Sequence, residues 1–126
     1  MNTNLFDIRD RVVVITGGTG VLGREIGKYL AQQGAKVVLL GRRKDVGDAL
    51  ITDILALGGE AVFYYCDVMD VASVEAVCEK VMQRYGRVDA LLNAAGGNMP
   101  GATITPTGTL FDVQVEESQK VLNVNL

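Results

Sequence analysis

Histidine and tryptophan are absent from the 126 residues, and proline (2), cysteine (2) and aromatic residues (6%) are scarce. Without histidine the chain holds no Ser-His-Asp or Cys-His relay and no His-ligated metal, which removes many hydrolase and metalloenzyme chemistries. Cys66 and Cys78 have neither CxxC spacing nor a partner set for zinc, so both read as reduced thiols in the core, and no metal site is expected. No apolar run approaches the roughly 20 residues that cross a bilayer. Met1 to Arg11 carries Asp7, Arg9, Asp10 and Arg11 without an apolar stretch, so it does not read as a signal peptide. A net charge of -3 offers no positive field for nucleic acid or an anionic membrane. The expectation is a soluble, cytoplasmic chain without nucleic-acid or membrane partners.

Hydrophobic residues make up 48% of the chain, enough for a core, and the length suits a single domain. Four β-branched runs, Arg11–Thr16, Lys36–Gly41, Ala61–Cys66 and Val88–Asn93, show little alternation, as parallel strands covered on both faces do. Helical periodicity fills the gaps. Leu22, Ile26 and Leu30 share one face of Val21–Gly34, and Val46, Leu50, Ile54 and Leu57 one face of Lys44–Gly58. In Asp70–Gly86 the stripe is Val74, Val77, Cys78, Val81, Met82 and Tyr85. Right-handed crossovers turn this β-α alternation into an α/β fold, a doubly wound parallel sheet with helices on both faces. Ala94 to Gln114 holds both prolines and reads as a long ordered loop. Helical spacing resumes near Val115 and runs to Leu126 with no stop signal, so this helix reads as cut, not finished.

The first strand runs into Thr16-Gly17-Gly18-Thr19-Gly20-Val21-Leu22-Gly23 and then a helix. Gly18-x-Gly20-x-x-Gly23 fits the dinucleotide fingerprint, and Gly17, Gly20 and Gly23 fit a variant of it. Glycines allow the tight turn and the close approach of a pyrophosphate, and free N–H groups at the helix start favour an anion. At the end of the second strand, where an NAD-selective site places Asp or Glu, the chain has Gly41, Arg42 and Arg43. A guanidinium there attracts a 2′-phosphate through charge-assisted hydrogen bonds, and a carboxylate would repel it. The expectation is NADP(H) as preferred cofactor, with NAD(H) also admitted.

With these residues in view, the chain resembles the short-chain dehydrogenase/reductases of the classical type. The resemblance extends from Arg11 to Leu126 and rests on the Thr16-Gly17 turn, Cys66-Asp67-Val68, Leu92-Asn93-Ala94-Ala95-Gly96 and Asn123-Val124-Asn125-Leu126. It implies that Gly17, Gly18, Thr19, Gly20, Val21, Leu22 and Gly23 cradle the pyrophosphate. It also implies that Asp67 and Val68 meet the adenine, and that Asn93, Ala94, Ala95 and Gly96 line the cofactor cleft. Asn125 matches a catalytic asparagine that holds a water in the proton relay. Val21 stands where the commoner pattern has Gly, and this variant, with the Gly96-Gly97-Asn98-x-Pro100 turn, resembles D-mannonate oxidoreductases (fructuronate reductases). The family implies a Rossmann-type sheet of order 3-2-1-4, with residues 1–126 as the N-terminal dinucleotide-binding part of a single domain truncated in its fifth major helix. It also implies a small-molecule alcohol or ketone substrate and a dimer or tetramer.

The family's proton chemistry uses a Tyr-x-x-x-Lys pair. Four residues after Tyr29, Tyr64, Tyr65 and Tyr85 come Gln33, Val68, Met69 and Asp89, so the pair is not within these 126 residues. Two other readings stay open: a non-catalytic nucleotide-binding module, and part of an extended-family epimerase. Asp67 also reads as a turn acid, and Asn93 and Asn125 as satisfied structural amides. A fourth strand with an unpaired edge is expected to need covering by further chain.

Overall fold

A computed structural model describes residues 5–95, 106–109, 111 and 113–125. The chain divides into two units, Met1–Ala94 and Ala95–Leu126. In the first, β1 (Val12–Thr16), α1 (Val21–Gln32), β2 (Lys36–Gly41), α2 (Lys44–Ala56), β3 (Glu60–Tyr65), α3 (Val71–Tyr85) and β4 (Ala90–Asn93) alternate. The second holds α4 (Val115–Asn125). Glu116 and Glu117 in its first turn complement the helix dipole. Gln119 donates to the Asn123 side chain at 2.9 Å, an i,i+4 pair on the helix surface.

The sheet has the order β3-β2-β1-β4, as the family resemblance implies, and all three pairings are parallel. Thr16 pairs with Leu40 on one side and Asn93 on the other, so the strands end along one edge. Two apolar layers flank the sheet. Val13, Ile15, Val37 and Leu39 face α1 and α2, with Ala31, Leu50 and Ile54 from those helices. Val12, Val14, Val38 and Leu40 face α3, with Val77 and Val81. Leu39, completely buried, contributes roughly 1.5–3 kcal/mol of transfer free energy.

α3 shows how local sequence sets an element's ends. The Asp70 carboxylate accepts from the Ala72 N–H at 3.0 Å, and Gly86 closes the helix in the left-handed region (φ 71°) with its N–H on the Met82 carbonyl.

Three packing expectations need correction. On α1, Ile26 and Leu30 pack against the core as expected, but Leu22 is 68% exposed, and the fully buried positions are Gly23, Gly27 and Ala31. A Cβ on Gly27 would lie 2.8 Å from Leu39 Cδ2, so this small-residue stripe forms the closest approach of α1 to the sheet. On α2, Leu50 and Ile54 are buried as expected and Gly47 with them, but Leu57, at the C-cap, is 64% exposed. Cys66 is buried but Cys78 is exposed, so only one thiol belongs to the core; both are free. Burial pushes the Cys66 thiol pKa up, partly offset by a hydrogen bond to Ser73.

At the other edge of the sheet Asp89 ties two strands and a loop together. Its carboxylate accepts from the Val12 N–H at 2.8 Å and from the Arg87 guanidinium, and Arg11 lies 3.6 Å away. The Arg87 hydrogen bonds, then the Val12 N–H, hold its pKa below the usual carboxylate value. On the α3 side, Val14, Val77, Val81, Met82 and Leu91 line an apolar groove of about 370 Å³ that reaches Thr16 and Asn93. Leu91 is 58% exposed, and among the described residues β4 pairs only with β1. No described helix is long and apolar enough to cross a membrane.

Candidate functional site

The parallel sheet brings four predicted segments to one edge: the turn after β1, the ends of β2 and β3, and the end of β4. β1 is where the chain order reverses, because β2 and β4 flank it, and the crevice outside such a switch point is where open α/β sheets bind ligands.

Gly17 leaves β1 in the left-handed region (φ 66°), which a side chain would strain. Its carbonyl accepts from the Gly20 N–H at 3.0 Å, closing the turn. The Gly18 N–H donates to the Leu40 carbonyl at 2.9 Å, which ties the turn to β2. A Cβ on Gly18 would stand 2.9 Å from Leu39, and one on Gly23 only 2.4 Å from the Gly17 carbonyl oxygen, so two of the glycines are required by space.

Helix α1 then opens without a side-chain cap and without an acidic residue in its first turn. Among the described residues no hydrogen bond reaches the N–H groups of Val21, Leu22 or Gly23, the three donors an α-helix leaves unsatisfied there. Val21 is 83% exposed and Leu22 68%, while Gly23 is buried. Such an end, with its positive dipole, is suited to an anion. Arg24 was not singled out from the sequence. Its Nη2 donates to the Thr19 carbonyl at 2.9 Å, fixing the Thr19–Gly20 peptide plane, and nothing in its spacing signals that role.

The two arginines after β2 separate in the structure. Arg43 precedes α2 and pairs with Asp45 at 3.7 Å on the surface. Arg42 is exposed and makes no ion pair or side-chain hydrogen bond among the described residues. Gly41 is buried, and the Cys66 N–H donates to its carbonyl at 2.9 Å, carrying the chain to Asp67.

The Asp67 carboxylate accepts from the Met69 N–H at 3.0 Å, the geometry of the turn acid weighed above, and its own N–H donates to Ser73 Oγ at 2.9 Å. Val68 is 40% exposed. Asn93 pairs with Thr16, and the Ala94 N–H donates to the Thr16 carbonyl at 3.1 Å, which places both beside the glycine turn. Ala95 begins the second unit and Asn125 ends α4. Gly96, Asn98 and Pro100 lie outside the described residues. No group of three or more Asp, Glu, His or Cys residues able to hold a metal occurs among the described residues.

A glycine-turned, anion-accepting helix start at the switch point of a parallel sheet defines a nucleotide-binding fold of the Rossmann type. Residues 11–126 match the short chain dehydrogenase family, and the chain belongs to it. It is 41% identical over 96 residues to the uncharacterised oxidoreductase UxuB of Bacillus subtilis, covering 76% of this chain and 34% of that protein. A proposed D-mannonate oxidoreductase from Haemophilus influenzae with bound NAD is similar in structure, with TM-score 0.84 and 29% identity over 94% of this chain and 46% of that one. The actinorhodin polyketide ketoreductase with NADPH gives TM-score 0.80 and 30% identity, over 93% and 42%. The chain thus spans less than half the length of these relatives.

Proposed function

We propose that the chain is the cofactor-binding part of an NAD(P)-dependent oxidoreductase that interconverts a secondary alcohol and a ketone, with NADP(H) preferred. The observation that carries the reading is the set of three N–H groups at the start of α1 that have no hydrogen-bond partner among the described residues, together with Arg42, which forms no ion pair among them. The residues fit the cofactor: Gly18 and Gly23 let the turn pack against Leu39 and the Gly17 carbonyl, and that turn presents the amides of Val21, Leu22 and Gly23 as donors for a pyrophosphate. Arg42 supplies a charge for a ribose 2′-phosphate, and Arg43, engaged with Asp45, is the lesser contributor. Asp67 and Val68 would bound the adenine, and Asn93, Ala94, Ala95 and Gly96 the cleft toward the nicotinamide.

A bound nicotinamide accepts or donates the hydride. Asn125 would hold a water in the proton relay, as the family resemblance implies. The structural likeness to a proposed D-mannonate oxidoreductase favours a sugar-acid substrate. The whole protein would act in the cytoplasm as a dimer or tetramer.

Calorimetric titration with NADPH and NADH tests the reading. Saturable binding is expected, tighter for NADPH, and Arg42→Ala should weaken NADPH about tenfold while changing NADH little. Equal losses for both cofactors would refute the 2′-phosphate assignment, and no binding at high micromolar cofactor would refute the reading itself.

A further inference from the structure

We propose that Thr19 is a specificity-determining residue that acts with Gly41, filling the volume an acidic side chain at the end of β2 would need; this rests on the dinucleotide reading above. Gly41 does not have a positive φ, so its lack of a side chain is not a matter of backbone conformation. It is a matter of space. A Cβ on Gly41 would lie 2.8 Å from Oγ1, 3.1 Å from Cγ2 and 3.5 Å from Cβ of Thr19. Carbon contacts are optimal at about 3.5–4.0 Å, so both γ atoms of Thr19 intrude.

Rotation of Thr19 relieves the overlap only in part, because one of the two close positions, at 2.8 or 3.1 Å, stays filled. A β-branched side chain distributes two heavy atoms over three staggered positions, and two of those positions face Gly41. Every rotamer therefore leaves at least one heavy atom there. Retreat of the backbone is also opposed. Gly18 is tied to the Leu40 carbonyl, the Thr19 carbonyl to Arg24 and the Gly20 N–H to the Gly17 carbonyl, so the turn is anchored on both sides of Thr19.

An Asp or Glu at the end of β2 is the group that accepts hydrogen bonds from the ribose hydroxyls of NAD. With Thr19 in place, position 41 does not accept one, and recognition of the ribose from this strand end falls to Arg42. Cofactor selectivity is thus a coupled property of two segments, and replacing Gly41 alone does not create an NAD site.

A double-mutant cycle on the protein tests this, with calorimetric titration of NADPH and NADH against wild type, Thr19→Ala, Gly41→Asp and the double variant. Gly41→Asp should lose NADPH affinity without gaining NADH affinity, and Thr19→Ala in that background should tighten NADH about tenfold. NADH affinity that is equal in Gly41→Asp and the double variant, or that already rises in Gly41→Asp, would overturn the inference. If Gly41→Asp does not fold, Gly41→Ala serves: its melting temperature should fall, and Thr19→Ala should restore it. Additive shifts would overturn the coupling. Wild type that binds neither cofactor sinks the dinucleotide reading and this inference with it, whereas wild type that binds but shows no coupling sinks this inference alone.

Discussion

Gly23 illustrates how little tolerance the site has at the level of single atoms. A methyl group there would stand 2.4 Å from the Gly17 carbonyl oxygen, and backbone cannot move aside as a side-chain tip can. Gly23→Ala is expected to destabilise by about 1–3 kcal/mol and to weaken NADPH at least about tenfold, because the turn that presents the Val21 and Leu22 amides must open. Thermal melting and titration on the same sample check both. The glycine fingerprint was legible in the sequence because its spacing follows from the turn geometry. Arg24 was not, since an arginine on an exposed helix start looks the same whether or not it clamps a carbonyl. The sequence left Asp67 between a turn acid and a cofactor contact; the structure shows the turn bond from Met69, which occupies one carboxylate oxygen and leaves the other to be tested.

The elements themselves were legible where burial is two-sided. Runs such as Val12–Thr16 and Lys36–Gly41 are apolar without alternation because each strand is packed on both faces; the first begins one residue later than expected and the second has the expected bounds. Helix orientation was harder to read. Hydropathy weights Leu22 toward the core, yet α1 turns Gly23, Gly27 and Ala31 to the sheet, because close approach rewards the absence of a side chain. Leu22 is left exposed just after the glycine turn. Gly27→Val should therefore push α1 off Leu39 and cost about 1–3 kcal/mol, read as a lower urea midpoint. A surface replacement such as Glu25→Gln on the same helix should change it little.

For the molecule as a whole, the candidate site and its main electrostatic anchor lie at opposite edges of one sheet. Asp89 holds the starting edge through Val12, Arg87 and Arg11, and its folded pKa is below the ordinary 3.8. A carboxylate with a lowered folded pKa stabilises fully above its unfolded value, and the contribution disappears as pH falls through the folded value. Asp7, beside Arg9, shifts in the same direction. Stability should thus be insensitive to these groups near neutrality and decline below about pH 4. Asp89→Asn should flatten that acid limb in pH-dependent denaturation, and an unchanged limb would show that other groups control it. Much of the long loop after Asn93 lies outside the described residues, so that reading stands as an expectation from composition alone.

The order of the strands also has a consequence in time. β1 gains β2 as a neighbour early in the chain, but its other neighbour is β4, and the Val12–Asp89 bond spans 77 positions. During synthesis at roughly 5–20 residues per second, the innermost valine-rich strand keeps one edge unpaired for a period on the order of seconds after β2 has emerged. That interval, before Ala90–Asn93 is made, is when the nascent chain is most open to mispairing and to capture by a chaperone.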